Sequence, residues 1–214
     1  MTPAVTAPWL PEPVRLASAA ECTDRLPLTL PQVNALGDAG VLGVRYTGKL
    51  GTAYAADRVD AWASAQALGP ADLARILPAR TDLAMIIRQS PPTEANSDDP
   101  SGRAWYGCHA AAANHPDPKV RAEQANASRM WWRVSPARLD QVRAITAADG
   151  TVPLVCTVAK AVVTAYQVTG IDDLTYPGTG RVAFTVTDPG PWLDDLAGRW
   201  LNAGQGASII WWDR

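Results

Sequence analysis

The chain has 214 residues, 47% of them hydrophobic, which is enough for one domain with a substantial core. Its formal net charge of −2 and isoelectric point near 5.6 oppose a dedicated polyanion-binding protein, which normally carries a basic excess. The sequence begins without a basic stretch followed by an apolar one, and no apolar run approaches the ~18 residues of a membrane span. Since the three cysteines are also widely spaced, without a disulfide pattern, we expect a cytoplasmic protein that does not enter a membrane.

Residues 1–35 form a proline-rich segment. Each of its six prolines removes a backbone hydrogen-bond donor and favours an extended conformation in the residue before it. We therefore expect residues 1–35 to be an arm, with no regular secondary structure over residues 1–20 and with Trp9 as the anchor of that stretch. Such an arm docks either on its own domain or, in a homo-oligomer, on a neighbouring subunit.

Residues 36–81 form a second region, which we expect to pack on the main domain. Glycines punctuate residues 37–51, a pattern that predicts a strand or a hairpin. The apolar spacing over residues 52–68 predicts a helix that ends before Gly69, and Pro70 begins a second short helix at its first position.

The remaining residues, 82–214, form the β-rich main domain. A short apolar run at 83–87 predicts a buried strand, and the polar, proline-containing stretch 91–102 predicts a loop. Asp117 and Ser135, each followed by proline, predict the first turns of two helices, and the residues 130–134 between those helices predict a strand.

The last third of the chain has the clearest strand patterns. β-branched residues over 152–168 predict one bent strand or two consecutive strands, with one face formed by Val162, Thr164, Tyr166 and Val168. Alternation over 181–187 predicts a buried face of Val182, Phe184 and Val186 and an opposite face, toward solvent or a groove, of Arg181, Ala183, Thr185 and Thr187. With a turn at 176–180, a helix after 188–191 and a strand at 207–212, these elements predict an α+β fold with a small curved sheet or barrel.

Tryptophan dominates the aromatic residues, with nine copies against a single phenylalanine. Indole fills a core and also provides a stacking surface for a base. Trp105, Trp131 and Trp132 lie in segment 103–143, which contains seven basic and three acidic residues. This coincidence predicts a Trp-lined pocket with Arg133 in contact with phosphate, while a solvated helix face explains the same charges without a ligand. Because adjacent strand residues point to opposite faces, we expect one indole of the 131–132 pair in the core and the other toward the ligand.

Four segments follow one another in a characteristic order. They are Trp-Trp-Arg-Val at 131–134, Gly-Arg-Val-Ala-Phe at 180–184, Gly-Arg-Trp-Leu at 198–201 and Ile-Ile-Trp at 209–211. This order resembles the landmarks of a PUA-like β-barrel domain, more narrowly of the bacterial EVE and YTH kind found beside nucleases in defence proteins, over residues 82–212. The resemblance implies recognition of a modified or flipped nucleobase in an aromatic pocket. It nominates Trp105, Trp131, Trp132 and Trp200 as ligand-binding residues.

A second resemblance concerns a nuclease motif. Tyr-Thr-Gly-Lys at 46–49, followed by Arg58, resembles the second half of a GIY-YIG nuclease motif, in which Glu94 would be the metal-binding acid. The first half of the motif is missing at its usual spacing, and a short glycine-containing turn explains the same residues.

Cys108, His109 and His115, with Cys156 as a fourth candidate, have side chains of the chemical type that binds zinc, but they lack the usual paired spacing. We predict no metal, cofactor or catalytic residue. The predicted function is a module that binds a nucleic-acid base or nucleotide, plain or modified. The principal alternative is a structural subunit, such as that of a phage or phage-like particle, whose copies are joined by the arm.

Overall fold

The structure, a computed structural model, describes residues 14–49, 51–79, 81–176, 179–202 and 207–214, with the side chains of residues 175 and 176 left out. Within these ranges the chain forms eight helices and thirteen strands. The helices are α1 Ala19–Arg25, α2 Leu30–Asp38, α3 Ala56–Ala63, α4 Pro70–Ile76, α5 Ala110–Ala113, α6 Pro118–Arg129, α7 Pro136–Ala147 and α8 Trp192–Leu196. The strands are β1 Leu16–Ser18, β2 Arg45–Gly48, β3 Gly51–Ala55, β4 Ala67–Leu68, β5 Leu83–Arg88, β6 Thr93–Glu94, β7 Trp105–Tyr106, β8 Met130–Trp132, β9 Val152–Val158, β10 Ala161–Tyr176, β11 Arg181–Thr187, β12 Trp200–Leu201 and β13 Ile209–Asp213.

An eight-stranded sheet organises the fold. Its main path runs β13-β5-β9-β10-β11-β8, and β12 joins β10 and β4 beside that path. The α+β class predicted from the sequence is therefore confirmed. In the described ranges the terminal strands β13 and β8 do not pair with each other, so the sheet is open and is not closed into a barrel.

The long strand β10 curves the sheet. It has 16 residues, and its pairing with β9 and β11 shifts register at three places along its length. β-bulges of this kind bend a strand and increase its twist. The curvature carries β8 and the end of α6 toward the residue after β5: the Gln89 amide donates to the Ala127 carbonyl at 3.4 Å and accepts from the Ser128 hydroxyl at 3.1 Å.

The first bulge in β10 corrects the face predicted for this strand. The register shifts between Val162 and Thr164, so Val162 packs in one hydrophobic cluster together with Ala165. Tyr166 and Val168 belong to the other, larger cluster. The sequence alternation continues through the bulge, but the faces exchange there, because the bulge adds one residue to a period of two.

Strand β11 confirms most of its predicted alternation. Phe184 is fully buried, Val182 and Val186 pack partly buried against the same core, and Arg181 and Thr185 are exposed. Ala183 was expected on the open face and is instead buried against Met130 and Trp131. The reason is that β8 pairs with β11 at this point, which brings the large side chains of Met130 and Trp131 against Ala183.

The prediction of an arm over residues 1–35 is wrong for residues 14–35. Here β1 pairs with β3, and α1 and α2 pack Cys22 and Val33 into the main hydrophobic cluster. Ser18 begins α1 with a capping box, in which its side chain accepts from the backbone of Glu21 while the Glu21 carboxylate accepts from the backbone of Ser18. Residues 1–13, including Trp9, lie outside the described residues.

The other elements follow the sequence closely, with two exceptions. The predicted helix over 52–68 is confirmed only as α3, because residues 51–55 form β3, the central strand of the small sheet β1-β3-β2. The predicted loop 91–102 contains β6, which pairs with β7. Part of the predicted turn at 176–180 lies outside the described residues. Within the described ranges, each helix is too short or too polar to span a membrane.

Candidate functional site

A cavity of about 380 Å³ lies between the end of β5 and strand β8, two strands that are not neighbours in the sheet. Three aromatic side chains line it: Tyr106 of β7 and the adjacent Trp131 and Trp132 of β8. Concave sites with mostly preformed walls and a few polar groups are where small ligands normally bind. The cavity therefore combines the paired indoles with a space in which they can contact another molecule.

Both indoles of the pair are fixed by hydrogen bonds. The ring nitrogen of Trp131 donates to the two carboxylate oxygens of Asp99, at 3.2 Å each, and that of Trp132 donates to the Ser128 carbonyl at 2.8 Å. Trp131 packs with Met130, while Trp132 packs partly buried against the main core. Because the protein itself binds both N–H groups, the surface that either indole can offer a ligand is carbon.

A buried ion pair supports this wall. Asp99 and Arg103 lie in the loop between β6 and β7, with the Arg103 Nε 2.9 Å from an Asp99 carboxylate oxygen and both side chains almost entirely buried. Arg103 also donates to the Met130 carbonyl at 2.8 Å, and its guanidinium lies 5.7 Å from the centre of the Tyr106 ring. One arginine thus joins the loop to β8 and to the aromatic lining.

The charge state of Asp99 follows from its partners. Burial by itself raises the pKa of this carboxyl group. The hydrogen bonds donated by Ser101 and Trp131 and the positive charge of Arg103 outweigh burial, so the Asp99 pKa lies below its ordinary value. Asp99 is consequently ionised at neutral pH, and its oxygens are already occupied by groups of the protein.

A series of hydrogen-bonded polar side chains connects α6 to the cavity wall. The fully buried Gln124 of α6 donates to the Gly107 carbonyl at 3.1 Å and to the Ser128 hydroxyl at 3.0 Å, and Ser128 in turn donates to Gln89 on the cavity wall. Gly107 has φ of +101°, and a Cβ there would lie 2.4 Å from the Pro91 carbonyl oxygen, so only glycine fits. The wall is therefore held by α6 and by the loop after β5 together.

The structure brings together two of the five predicted ligand-binding residues. Trp131 and Trp132 line the cavity, whereas Trp105, Arg133 and Trp200 are not among its lining residues. Trp105 lies next to Tyr106 on β7, with its buried ring nitrogen unpaired, and Arg133 is exposed. Trp200 is buried, and its ring nitrogen donates to the Trp62 carbonyl at 2.9 Å, which makes it part of the core.

Sequence reasoning did not select the basic and polar lining residues. Arg88, Arg103 and Arg181 lie on the cavity wall together with Asp99 and Asn96. The alternation of β11 did predict that Arg181 faces solvent or a groove. The others lie at the end of β5 or in the loop between β6 and β7, where no periodicity indicates a direction.

The structure does not assemble a metal site at the residues considered for zinc or for the nuclease motif, within the ranges that it describes. Among the described residues no group of three or more His, Cys, Asp or Glu side chains is arranged to hold a metal ion. Cys108 is completely buried, which raises the pKa of its thiol to about 12, and the neighbouring His109 accepts from the Ala111 backbone. Tyr46 is exposed on β2 and Arg58 is exposed on α3.

A larger cavity, of about 650 Å³, lies on another side of α6 against β10 and β11. Its principal charged groups are engaged with the protein: Arg129 pairs with Asp172 at 2.6 Å and donates to the Phe184 carbonyl, and Arg121 donates to two backbone carbonyls. The smaller cavity has the aromatic lining and the excess of basic side chains, and for this reason we treat it as the candidate site.

Comparison of the chain with protein-family models, with curated proteins and with solved structures gives no match.

Proposed function

We propose that the protein binds a nucleobase or nucleotide, plain or modified, in the cavity between β5 and β8. The observation that carries the proposal is the pair Trp131 and Trp132, both at the cavity wall with their N–H groups already bonded to Asp99 and Ser128. Indole surface of this kind stacks on any base and contributes about 1–3 kcal/mol per base.

The size of the cavity favours a single base unit. Small-molecule sites usually measure about 300–1,000 Å³, and this one is near the lower end of that range at about 380 Å³. A base would enter it unpaired, either from a single strand, as a free nucleotide, or flipped out of a duplex. The amide of the exposed Asn96 lies in the same lining and supplies donors and an acceptor for the polar edge of a base.

A relationship to PUA-like domains is part of the same proposal. A strongly curved sheet with a base-sized opening between its strands is compatible with a relative of such barrels. The alternative, an assembly subunit, depends on the proline-rich segment 1–35. Residues 14–35 of that segment pack into the fold, and residues 1–13 lie outside the described residues.

The test is a fluorescence titration with labelled single- and double-stranded oligonucleotides and with mononucleotides, each plain and base-modified. Trp132→Leu should weaken binding by roughly 5- to 150-fold, the equivalent of about 1–3 kcal/mol. Trp211→Leu is the matched control, because Trp211 is also half-buried on a strand of the sheet but lies outside this cavity.

Two results would overturn the proposal. One is that the wild-type chain binds none of these probes at micromolar protein concentration. The other is that the Trp132→Leu and Trp211→Leu variants, both folded by circular dichroism, bind equally well. If binding is absent and mass measurement finds a stable multimer that dissociates on removal of residues 1–13, the assembly function takes its place.

A further inference from the structure

The charged side chains of the cavity lining indicate which class of ligand the cavity binds; this inference rests on the proposed function. The whole chain has a net charge of −2, yet the side chains that line the cavity include three arginines and a single carboxylate. Arg103 and Asp99 neutralise each other in their buried ion pair. Arg88 and Arg181 are the other basic side chains of the lining, and Arg181 is exposed.

These two arginines lie at strand ends on the wall of the cavity. Arg88 is the last residue of β5 and Arg181 the first residue of β11. The residue after Arg181, Val182, pairs directly with Trp132, so the exposed Arg181 comes one position beyond the strand pair that holds an indole of the cavity. Arg181 shares the outer face of β11 with Ala183, which is buried against Trp131. A ligand in contact with Trp131 therefore has a guanidinium group on the same face of the strand.

Guanidinium groups select a particular kind of partner. Their planar forks of N–H donors match the geometry of phosphate and carboxylate oxygens, and phosphate carries the larger charge. A planar base that stacks on indole and bears its own phosphate satisfies the aromatic and the basic part of the lining at once. An uncharged nucleoside would satisfy only the aromatic part.

We infer that the ligand is a base carrying its phosphate, a nucleoside monophosphate unit, with the base against Trp131 and Trp132 and the phosphate held by Arg181. The same chemistry is present in a free mononucleotide and at the phosphorylated end of a single strand. Arg181 is then a binding residue that discriminates nucleotides from nucleosides.

The experiment compares affinities for the four ribonucleosides, their 5′-monophosphates, and short single strands with and without a 5′-phosphate, by calorimetry at two salt concentrations. The wild-type chain should bind at least one monophosphate about tenfold or more tightly than its nucleoside, and this advantage should shrink at the higher salt concentration. Comparison of the free monophosphate with the phosphorylated strand then identifies the source of the phosphate.

Two variants locate the phosphate contact. Arg181→Gln should abolish most of the advantage of the monophosphate while leaving nucleoside binding unchanged. Arg133→Gln is the matched control, because Arg133 is also exposed, follows Trp132 directly in the chain, and lies outside the cavity lining. It should keep the full advantage.

The outcomes separate the two proposals. If nucleoside and monophosphate bind equally well, or if Arg133→Gln lowers the phosphate preference as much as Arg181→Gln does, the phosphate contact at Arg181 is wrong while base binding stands. If neither ligand binds, the proposed function itself fails. A melting curve of each variant shows whether it is folded; should Arg181→Gln unfold, Arg181→Lys, which keeps the charge but loses the fork, provides the comparison.

Discussion

Removal of the Asp99 carboxylate should be one of the most damaging single changes on the cavity wall. In Asp99→Ala the Arg103 guanidinium stays in a place where its side chain is only 8% exposed, and it has lost the counter-ion that was 2.9 Å away. Breaking a buried ion pair by deleting one partner costs about 3–5 kcal/mol, because an uncompensated charge remains. Arg103 keeps its bond to the Met130 carbonyl, so we expect the lower end, about 3 kcal/mol.

A second Asp–Arg pair provides the matched control. Asp140 and Arg143 of α7 have the same nitrogen–oxygen distance of 2.9 Å, but their side chains are 72% and 59% exposed. Exposed pairs of this kind contribute about 1 kcal/mol or less, so Asp140→Ala should change stability little. The assay is urea denaturation followed by circular dichroism, with the midpoint and slope of each variant compared with the wild type. Equal losses in the two variants, or a loss below about 1 kcal/mol in Asp99→Ala, would refute the argument from burial.

Three further results are expected. The Asp99 pKa is lowered in the folded state, so its ionised form stabilises the fold above its unfolded pKa of about 3.9; the stability of the wild type relative to Asp99→Asn should be constant near neutral pH and decline as the pH falls through the folded pKa. Phe184→Ala should lower the free energy of unfolding by about 3–5 kcal/mol, whereas the neighbouring, exposed Thr185→Ala should change it by less than about 0.5 kcal/mol in chemical denaturation. A thiol reagent at pH 8 should leave Cys108 unmodified in the native protein and modify it after denaturation, because burial raises its pKa to about 12; modification of the native thiol would contradict its burial.

The sequence predicted elements best where local chemistry and tertiary environment agree. The Asp-Pro and Ser-Pro pairs begin α6 and α7 as expected, and Phe184 is buried on its alternating strand. For residues 14–35 the prolines led us to predict an extended arm, where the structure has β1, α1 and the start of α2. There Pro31 lies within the first turn of α2, where a missing N–H costs nothing, and apolar residues such as Val33 then pack into the core.

The candidate site was predictable only where it coincides with a strand. The Trp131–Trp132 pair lies on β8 and was found, as was the outward direction of Arg181. Asp99 and Arg103 were not predicted as a pair, because a loop has no periodicity. Arg88 was not predicted as a lining residue, because its place on the cavity wall depends on how far the sheet curves. That curvature depends on bulges in β10, which place strands distant in sequence around one space.

The bond from Arg103 to the Met130 carbonyl has a consequence for the edge of the sheet. β8 ends the path of the eight-stranded sheet, and a terminal strand offers unpaired backbone groups to any passing chain. In this protein a guanidinium group occupies one of the carbonyls of that strand, and the loop that bears it lies against the strand. The residue that holds the aromatic wall in place therefore also leaves the edge strand with one acceptor fewer for pairing with another chain.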